Sequence, residues 1–167
     1  TSGPAALRAL LETARQDEQP LVVPGCYDAL GARLIEQANF DAVYMTGFGT
    51  TASLIGRPDV GLLSATEMVD NARRITSAVD LPVVADADTG YGNQINVIRT
   101  VQDYERAGIA GIHIEDQILP KKCGHMDNKQ VVDADVMTAK IAAATAARTD
   151  DDFAIIARTD SRAEHGL

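Results

Sequence analysis

Short, almost continuously apolar runs alternate along the chain with longer segments in which apolar residues recur every three or four positions. The short runs lie at 21–24, 42–46, 82–88, 111–115 and 153–158, and several of them turn polar at their last residues. Runs of this kind are typical of strands that are buried on both faces, as in a parallel sheet covered by helices. The pattern therefore predicts five parallel strands.

The segments between these runs carry the signals of helix starts and ends. Ser64 and Glu67 have the spacing of a capping box, in which each residue satisfies a backbone N–H of the first helical turn. Asn93 opens a second helix, and Gly108 ends it because glycine adopts the left-handed conformation easily. One apolar face of the first of these helices recurs at Met68, Ala72, Ile75 and Val79, and further helices are predicted over 4–15, 30–38 and 134–147.

This alternation of strands and helices fits two architectures, a (β/α) barrel and an open doubly wound sheet. The barrel is favoured because polar groups follow several different strands, whereas an open sheet concentrates its site near one switch point. A complete eight-stranded barrel takes about 250 residues. We therefore expect one α/β domain over 1–167, a (β/α)8 TIM-type barrel of which this chain supplies an N-terminal helix and about the first five strands. Residues 163–167 would lie in the next loop or helix.

Composition narrows the classes of protein that this chain can belong to. It has 24 acidic and 15 basic residues, a formal net charge of −9, and no basic run longer than two. Nucleic-acid binding needs a clustered basic face, so that class is excluded. No apolar stretch approaches the roughly 20 residues of a membrane span, and the first residues lack the order of a signal peptide. We expect a cytoplasmic protein in which Cys26 and Cys123 are free thiols.

Polar side chains two residues apart close four of the predicted strands. Because such side chains point the same way along a strand, at least one member of each pair can face a common centre in a barrel. A shared site at this end of the barrel is therefore predicted. The pairs are Tyr44 and Thr46, Asp86 and Asp88, His113 and Glu115, and Arg158 and Asp160.

Asp86, Asp88 and Glu115 are the candidate metal ligands. Their hard oxygen atoms suit Mg²⁺ or Mn²⁺ rather than zinc. The alternative is that these carboxylates only cap the helices that follow. Three of them on two neighbouring strands favour the metal, because an acidic cluster without neutralising charge repels itself strongly at low dielectric.

Cys123 lies between the basic pair Lys121-Lys122 and His125, with Gly124 making the turn. Cations beside a thiol favour its reactive thiolate form, and His125 could relay or orient the proton. This arrangement predicts that Cys123 acts as a general acid or base near neutral pH. A zinc site is less favoured because no second cysteine stands at ligand spacing, and the remaining alternative is a solvated loop with an incidental cysteine.

Other segments give weaker signals. The glycines of 46–50 and 90–92 permit close approach of a ligand, and the N–H groups of 46–50 could bind a carboxylate. Both segments are equally typical of plain turns.

The connection 118–132 is long, which predicts a lid that is mobile without ligand and closes over a bound dicarboxylate. Arg158 would lie at the mouth of the barrel, where a guanidinium is expected to pair with an anion. This anion would be either a substrate carboxylate or Asp160.

Taken in order, these segments resemble the isocitrate lyase and phosphoenolpyruvate mutase superfamily. The resemblance runs from about residue 24 to the end, and the Lys-Lys-Cys-Gly-His sequence is specific for the lyase branch. It implies a Mg²⁺-dependent barrel that cleaves or makes a C–C bond in small 2-hydroxy or 2-oxo dicarboxylates. The segments that carry it are 44–47, 86–92, 113–117, 120–125 and 157–160.

The resemblance also implies residue roles. Asp86, Asp88 and Glu115 would hold the metal and its waters, and Cys123 would protonate the departing enolate. Lys121, His125 and Tyr44 join the catalytic group, with Tyr44 or a metal-bound water as candidate base. Asp59, similar to an aspartate near the reacting centre of the mutase branch, and His113 are further candidates. Substrate contacts would come from Tyr44, Thr46, Gly47, Asp88, Gly124, His125 and Arg158.

The expected function is a Mg²⁺-dependent lyase that cleaves a 2-methylisocitrate or dimethylmalate type of acid through a metal-stabilised enolate. The alternatives are an oxaloacetate hydrolase or decarboxylase, a phosphonate-forming mutase, and a barrel fragment that binds dicarboxylate without turnover. Cys123 argues against the mutase, because phosphoryl transfer needs no thiol acid there. The resemblance implies a homotetramer. It also implies later strands with a further glutamate and an asparagine-containing substrate contact, which this sequence lacks.

Overall fold

A computed structural model describes residues 3–162 and 166 of the chain, and its strands form one parallel sheet. The strands follow one another across the sheet in chain order, β1-β2-β3-β4-β5. An open doubly wound sheet reverses its order at a switch point, and the described strands show no reversal. The barrel-type order that the sequence predicted is therefore confirmed. The strands are β1 (Gly25–Cys26), β2 (Val43–Met45), β3 (Val83–Asp86), β4 (Gly111–Glu115) and β5 (Ala154–Arg158).

Helices connect the strands, and two of them begin where the capping signals indicated. Ser64 accepts from the Glu67 N–H at 3.3 Å while Glu67 accepts from the Ser64 N–H at 2.8 Å. Asn93 caps its helix in the same reciprocal way with Asn96. The helices are α1 (Gly3–Gln16), α2 (Ala29–Gln37), α3 (Gly47–Ile55), α4 (Ala65–Thr76), α5 (Gln94–Arg106) and α6 (Ala134–Ala147).

The structure corrects the boundaries of two strands predicted from the sequence and adds one helix. The first strand is Gly25–Cys26 rather than 21–24, because pairing with β2 begins only where the Pro24 carbonyl accepts from the Tyr44 N–H at 2.9 Å. The third strand ends at Asp86, since Asp88 has a φ of 47° and cannot continue it. Residues 47–55 form a helix that the glycine-rich sequence concealed. The predicted next loop or helix at 163–167 lies outside the described residues except for Gly166.

The two faces of the sheet bury different clusters. Val83 and Ala85 belong to the large core between the strands and the helices. Val84 points to the opposite face, where it packs with Ala154 and with Leu7 of α1. In a barrel this opposite face is the interior. Among the described residues, no helix is long and apolar enough to cross a membrane.

Candidate active site

Strand register brings the polar ends of β3, β4 and β5 together on the inner face. Asp86 is aligned with His113, and Glu115 is aligned with Arg158. His113 Nε2 lies 3.0 Å from Asp86 Oδ1, and Arg158 Nη1 lies 3.1 Å from Glu115 Oε2. Three of the predicted pairs therefore contribute to one centre, which contains Asp86, both His113 and Glu115, and Arg158.

Asp86 is held from three sides. It accepts from the Gly47 N–H at 3.2 Å and the Asp88 N–H at 2.9 Å, besides its contact with His113. Burial alone would raise the pKa of Asp86, but the hydrogen bond and charge of His113 outweigh it and lower that pKa. Asp86 is therefore anionic.

Gly47 begins α3, and only glycine fits there. A Cβ atom at this position would lie 2.5 Å from Asp86 Oδ2. Thr46 caps the helix by accepting from the Gly49 N–H at 3.2 Å. The Gly47 N–H thus binds a carboxylate of the chain itself, that of Asp86, and the predicted contact of the 46–50 segment with a ligand carboxylate stays a prediction.

Tyr44 closes one side of the site against His113. Its hydroxyl lies 3.1 Å from His113 Nδ1, and the two rings stack with centroids 5.5 Å apart. Burial, followed by the charge of Asp86, raises the pKa of Tyr44 well above its ordinary value. The side chain therefore keeps its proton, which disfavours the role of general base considered for it.

Lys121 lies at the centre of a buried ion-pair cluster. Its Nζ is 2.6 Å from Asp59 Oδ1 and 2.5 Å from Asp88 Oδ1, and the residue is only 2% exposed. Burial by itself lowers the pKa of Lys121, but the carboxylates of Asp88 and Asp59 outweigh it and raise that pKa, so the cation persists. The structure thus places Asp59 in the site.

These cations overturn one premise of the metal prediction. The acidic cluster is not without neutralising charge, because Lys121 pairs with Asp88 and Arg158 pairs with Glu115. Self-repulsion therefore does not by itself require a metal. Among the described residues, no three His, Cys, Asp or Glu side chains form a ready-made metal cluster.

The donor set nevertheless fits a hard divalent cation. Within the described part of the chain, Glu115 Oε1 is buried without a hydrogen-bond partner. Asp88 Oδ1 is also buried, but it pairs with Lys121 Nζ at 2.5 Å. Burial raises the pKa of Glu115 to about 7 against the effect of Arg158, and burial and the charge of Asp86 raise that of Asp88. Mg²⁺ is usually bound by one or two carboxylates together with waters and substrate, and the unpartnered oxygen of Glu115 beside the carboxylates of Asp86 and Asp88 meets that requirement.

Cys123 and His125 form the opposite wall of the site. Cys123 Sγ lies 3.6 Å from His125 Nδ1. The two residues line a cavity of about 130 Å³ together with Glu115 and Arg158. Gly124 permits this arrangement, because a Cβ there would lie 2.6 Å from Arg158 Nη2. A thiol, an imidazole and a guanidinium thus face the buried carboxylates.

The 118–132 loop is tied to the sheet by contacts that the sequence did not signal. Gln117 Nε2 donates to the Lys122 carbonyl at 2.8 Å, and its Oε1 accepts from the Lys122 N–H at 2.8 Å. Lys129 Nζ donates to the Gly124 carbonyl at 2.6 Å and lies 3.4 Å from Asp160. Lys122 also lines the cavity, but its Nζ donates to the Asn128 carbonyl at 2.8 Å rather than to a carboxylate of the site. The predicted mobility of this loop stays a prediction.

Arg158 pairs with two carboxylates of the chain, of which Asp160 was considered from the sequence and Glu115 was not. It pairs with Glu115 and, at 3.4 Å, with Asp160. The internal salt bridge is therefore present. Its side chain is still 32% exposed on the cavity side, so an anionic ligand can approach it.

Comparison with known proteins identifies the family. A profile described as phosphoenolpyruvate phosphomutase matches residues 10–166. The chain belongs to the phosphoenolpyruvate mutase/isocitrate lyase superfamily. It is 52% identical over 163 residues to 2,3-dimethylmalate lyase of Eubacterium barkeri, a match that covers 98% of this chain and 55% of that protein.

Solved structures of the superfamily have the same fold. Oxaloacetate acetylhydrolase with the inhibitor 3,3-difluorooxalacetate matches with a TM-score of 0.93 and 46% identity, over 99% of this chain and 56% of that one. Phosphonopyruvate hydrolase in complex with oxalate and Mg²⁺ matches with a TM-score of 0.86 and 38% identity, over 96% and 53%. The chain therefore spans about half the length of the relatives that it matches.

Proposed function

We propose that this chain carries the strand β1 to β5 part of a Mg²⁺-dependent carbon–carbon lyase that acts on a 2-alkylmalate, with 2,3-dimethylmalate as the leading substrate. The observation that supports it most is the cavity in which Cys123 and His125 face Glu115 and Arg158. A superfamily member that breaks a C–C bond has to protonate the carbon that departs as an enolate. A thiol placed in the cavity wall is suited to that step.

The acidic and the basic side chains of the site have different roles in this proposal. Asp86, Asp88 and Glu115 would hold the Mg²⁺, which supplies electrostatic stabilisation of the negative charge that develops on the substrate oxygens. Arg158 would bind a substrate carboxylate through its exposed face. Lys121 keeps Asp59 and Asp88 in place, and the hydroxyl of Tyr44 forms a hydrogen bond with the ring of His113.

For 2,3-dimethylmalate, the broken bond would join C2, which bears the hydroxyl and one methyl group, to C3, which bears the other methyl group. C2 would become the keto carbon of pyruvate as its O–H proton passes to a base, for which a water in the site is the candidate. The electron pair of the broken bond passes to the other fragment, and Cys123 protonates it to give propanoate. 2-Methylisocitrate would give pyruvate and succinate by the same steps.

Oxaloacetate hydrolysis is the second candidate. The similarity to oxaloacetate acetylhydrolase, with a TM-score of 0.93, favours it. The same site would serve, since oxaloacetate also has two carboxylates and an oxygen on the carbon beside one of them. The products differ, because hydrolysis gives oxalate and acetate rather than a 2-oxo acid. A phosphonate-forming mutase is disfavoured by Cys123.

The experiment that tests the proposal is a product assay with and without Mg²⁺. The purified protein would be offered 2,3-dimethylmalate, 2-methylisocitrate, isocitrate and oxaloacetate, with pyruvate, glyoxylate and oxalate followed separately. Pyruvate from a 2-alkylmalate that depends on Mg²⁺ and stops with EDTA is the expected result. Activity that EDTA leaves unchanged, or no turnover of any of the four acids, would contradict the proposal.

Asp88→Asn supplies the matched test of the metal site. The substitution keeps the size of the side chain but removes the charge, so Mg²⁺-dependent turnover should fall at least ~100-fold, the usual scale for loss of a positioned catalytic group. Asp70→Asn, an exposed change on α4, should leave turnover as it is. Equal activity of the Asp88 variant and the wild type would remove Asp88 from the site.

A further inference from the structure

Helix α6 carries a buried cation that the proposed mechanism does not use. Lys140 is 7% exposed, and its Nζ donates to the carbonyl of Thr89 at 2.9 Å. No carboxylate among the described residues lies within ion-pair distance of it. Lysine is almost never buried unless it is paired, so this residue needs an explanation.

Packing alone does not explain Lys140. The described part of α6 buries only Lys140 and Ala144, in a helix built mainly of alanine and other small residues. Burial lowers the pKa of Lys140, which shows that its surroundings disfavour the charge. An apolar side chain of similar length would fill the same space without that cost. The ammonium is therefore retained for the bond that it makes.

The partner of Lys140 belongs to the turn that presents Asp88. This turn, residues 88–92, has an unfavourable backbone: φ is 47° at Asp88 and 60° at Tyr91, besides 84° at Gly90. Left-handed conformations at residues other than glycine cost free energy and persist only where the surroundings impose them. The position of the Asp88 carboxylate thus depends on what holds the turn.

Each carbonyl from residue 87 to residue 90 is held by a different donor. The Gly90 N–H donates to residue 87 at 2.9 Å, and the Glu115 N–H donates to residue 88 at 2.8 Å. Lys140 holds residue 89, and the Thr100 hydroxyl holds residue 90 at 3.1 Å. Among the described residues the hydroxyl of Thr89 has no hydrogen-bond partner, so its side chain does not anchor the turn.

We propose that Lys140 is a positioning residue, whose ammonium fixes the 88–92 turn so that the Asp88 carboxylate faces Lys121 and the metal site. A hydrogen bond from a charged donor is roughly twice as strong as one between neutral groups, which suits a donor that must hold a strained turn from another helix. The part of this inference that concerns Mg²⁺ rests on the proposed function. The part that concerns the turn does not.

The experiment compares Lys140→Met, Lys140→Arg and the wild type, with the exposed Arg74→Met on α4 as the matched loss of a surface cation. Mg²⁺ alone is titrated by calorimetry, and amide hydrogen exchange is followed at individual residues. Lys140→Met should weaken Mg²⁺ binding 10- to 100-fold, as is usual when a group that orients a metal ligand is lost. The Gly90 and Glu115 amides should exchange at least ~10-fold faster, as loss of a charged hydrogen bond predicts. Lys140→Arg should restore most of the Mg²⁺ affinity and most of the protection of these two amides from exchange.

A merely structural role predicts a different pattern. General destabilisation would speed exchange at Ile112 in the centre of β4 as much as at Gly90, and that result would overturn the proposal. Unchanged exchange and Mg²⁺ affinity in Lys140→Met would do the same. If Lys140→Met does not fold, Lys140→Gln, which keeps a neutral donor, carries the comparison. A wild type that binds no Mg²⁺ contradicts the proposed function instead, and the exchange data still decide the role of Lys140.

Discussion

At the scale of single residues, the two thiols occupy different environments. Cys26 is buried in the core between the strands and the helices, and burial raises its pKa to about 11. Cys123 is partly exposed and faces the cavity beside His125. Only Cys123 is placed to exchange a proton with a ligand, whereas Cys26 behaves as a small apolar residue.

The first prediction follows from this difference. Cys123→Ser keeps nearly the same shape but replaces the thiol by a hydroxyl that is far too weak an acid near neutral pH. Turnover should fall roughly 10²–10⁴-fold, the usual contribution of a positioned acid, while the affinity for oxalate with Mg²⁺ changes little. Steady-state kinetics and inhibitor titration on the same variant measure the two effects, and Cys26→Ala is the control. Near wild-type turnover in Cys123→Ser would take the thiol out of the mechanism.

Residue types and their spacing indicated most of the residues in the site. They did not indicate which charged side chains pair with one another. The sequence shows that polar residues lie at the ends of β3 and β4, but the alignment of Asp86 with His113 is a strand register that the structure supplies. Nor does the sequence show that Lys121 pairs with two aspartates while Lys122 donates to a backbone carbonyl, because both lysines stand in the same basic pair. Lys140 gave no signal at all, since a lysine in an alanine-rich helix ordinarily points to solvent. Such contacts depend on tertiary packing.

At the scale of elements, the helices and strands were predictable where their signals are local. Capping residues identified the starts of α4 and α5, and apolar runs identified β2 to β5 but not β1. Helix α3 was concealed because its first turn contains Gly47 and Gly49, which favour turns. It forms because Thr46 caps it and Asp86 accepts from Gly47 across the sheet, and that second contact is not local.

The second prediction concerns the 118–132 loop. Lys129 holds the loop by its 2.6 Å bond to the Gly124 carbonyl and by its proximity to Asp160. A hydrogen bond to a charged group contributes about 1.5–3 kcal/mol, so Lys129→Met should raise the open population about 10- to 100-fold. Limited proteolysis with thermolysin, which cuts before apolar residues such as Met126, follows the open form when opening is fast.

Two controls make the loop prediction specific. Lys129→Arg keeps the cation and should cleave at nearly the wild-type rate. Mg²⁺ with oxalate should slow cleavage of the wild type if the loop closes over a bound dicarboxylate. Equal cleavage of wild type and Lys129→Met, with no protection by oxalate, would show that this lysine does not latch the loop.

At the scale of the whole molecule, the described sheet has two open edges. Strand β5 pairs only with β4, and β1 pairs only with β2, among the described residues. Ile156 on the inner face of β5 is 44% exposed. A groove of about 700 Å³ lined by Met137 and Ile141 runs beside the end of the same strand, where the helix after a strand packs in (β/α) barrels. Apolar surface and unpaired backbone therefore meet along β5.

The last prediction is that a polypeptide of these 167 residues alone self-associates through the edge of β5. Exposed edge strands template pairing with other chains, and an inward-pointing charge suppresses it. Ile156→Lys should thus lower the weight-average mass in sedimentation velocity over a tenfold range of concentration. Ile95→Lys replaces an even more exposed isoleucine, at 76%, on α5, which connects the inner strands β3 and β4. This substitution should therefore leave the weight-average mass unchanged. An equal effect of both substitutions would assign the association to apolar surface in general, and a wild type that stays monomeric throughout the range would contradict the role of the edge.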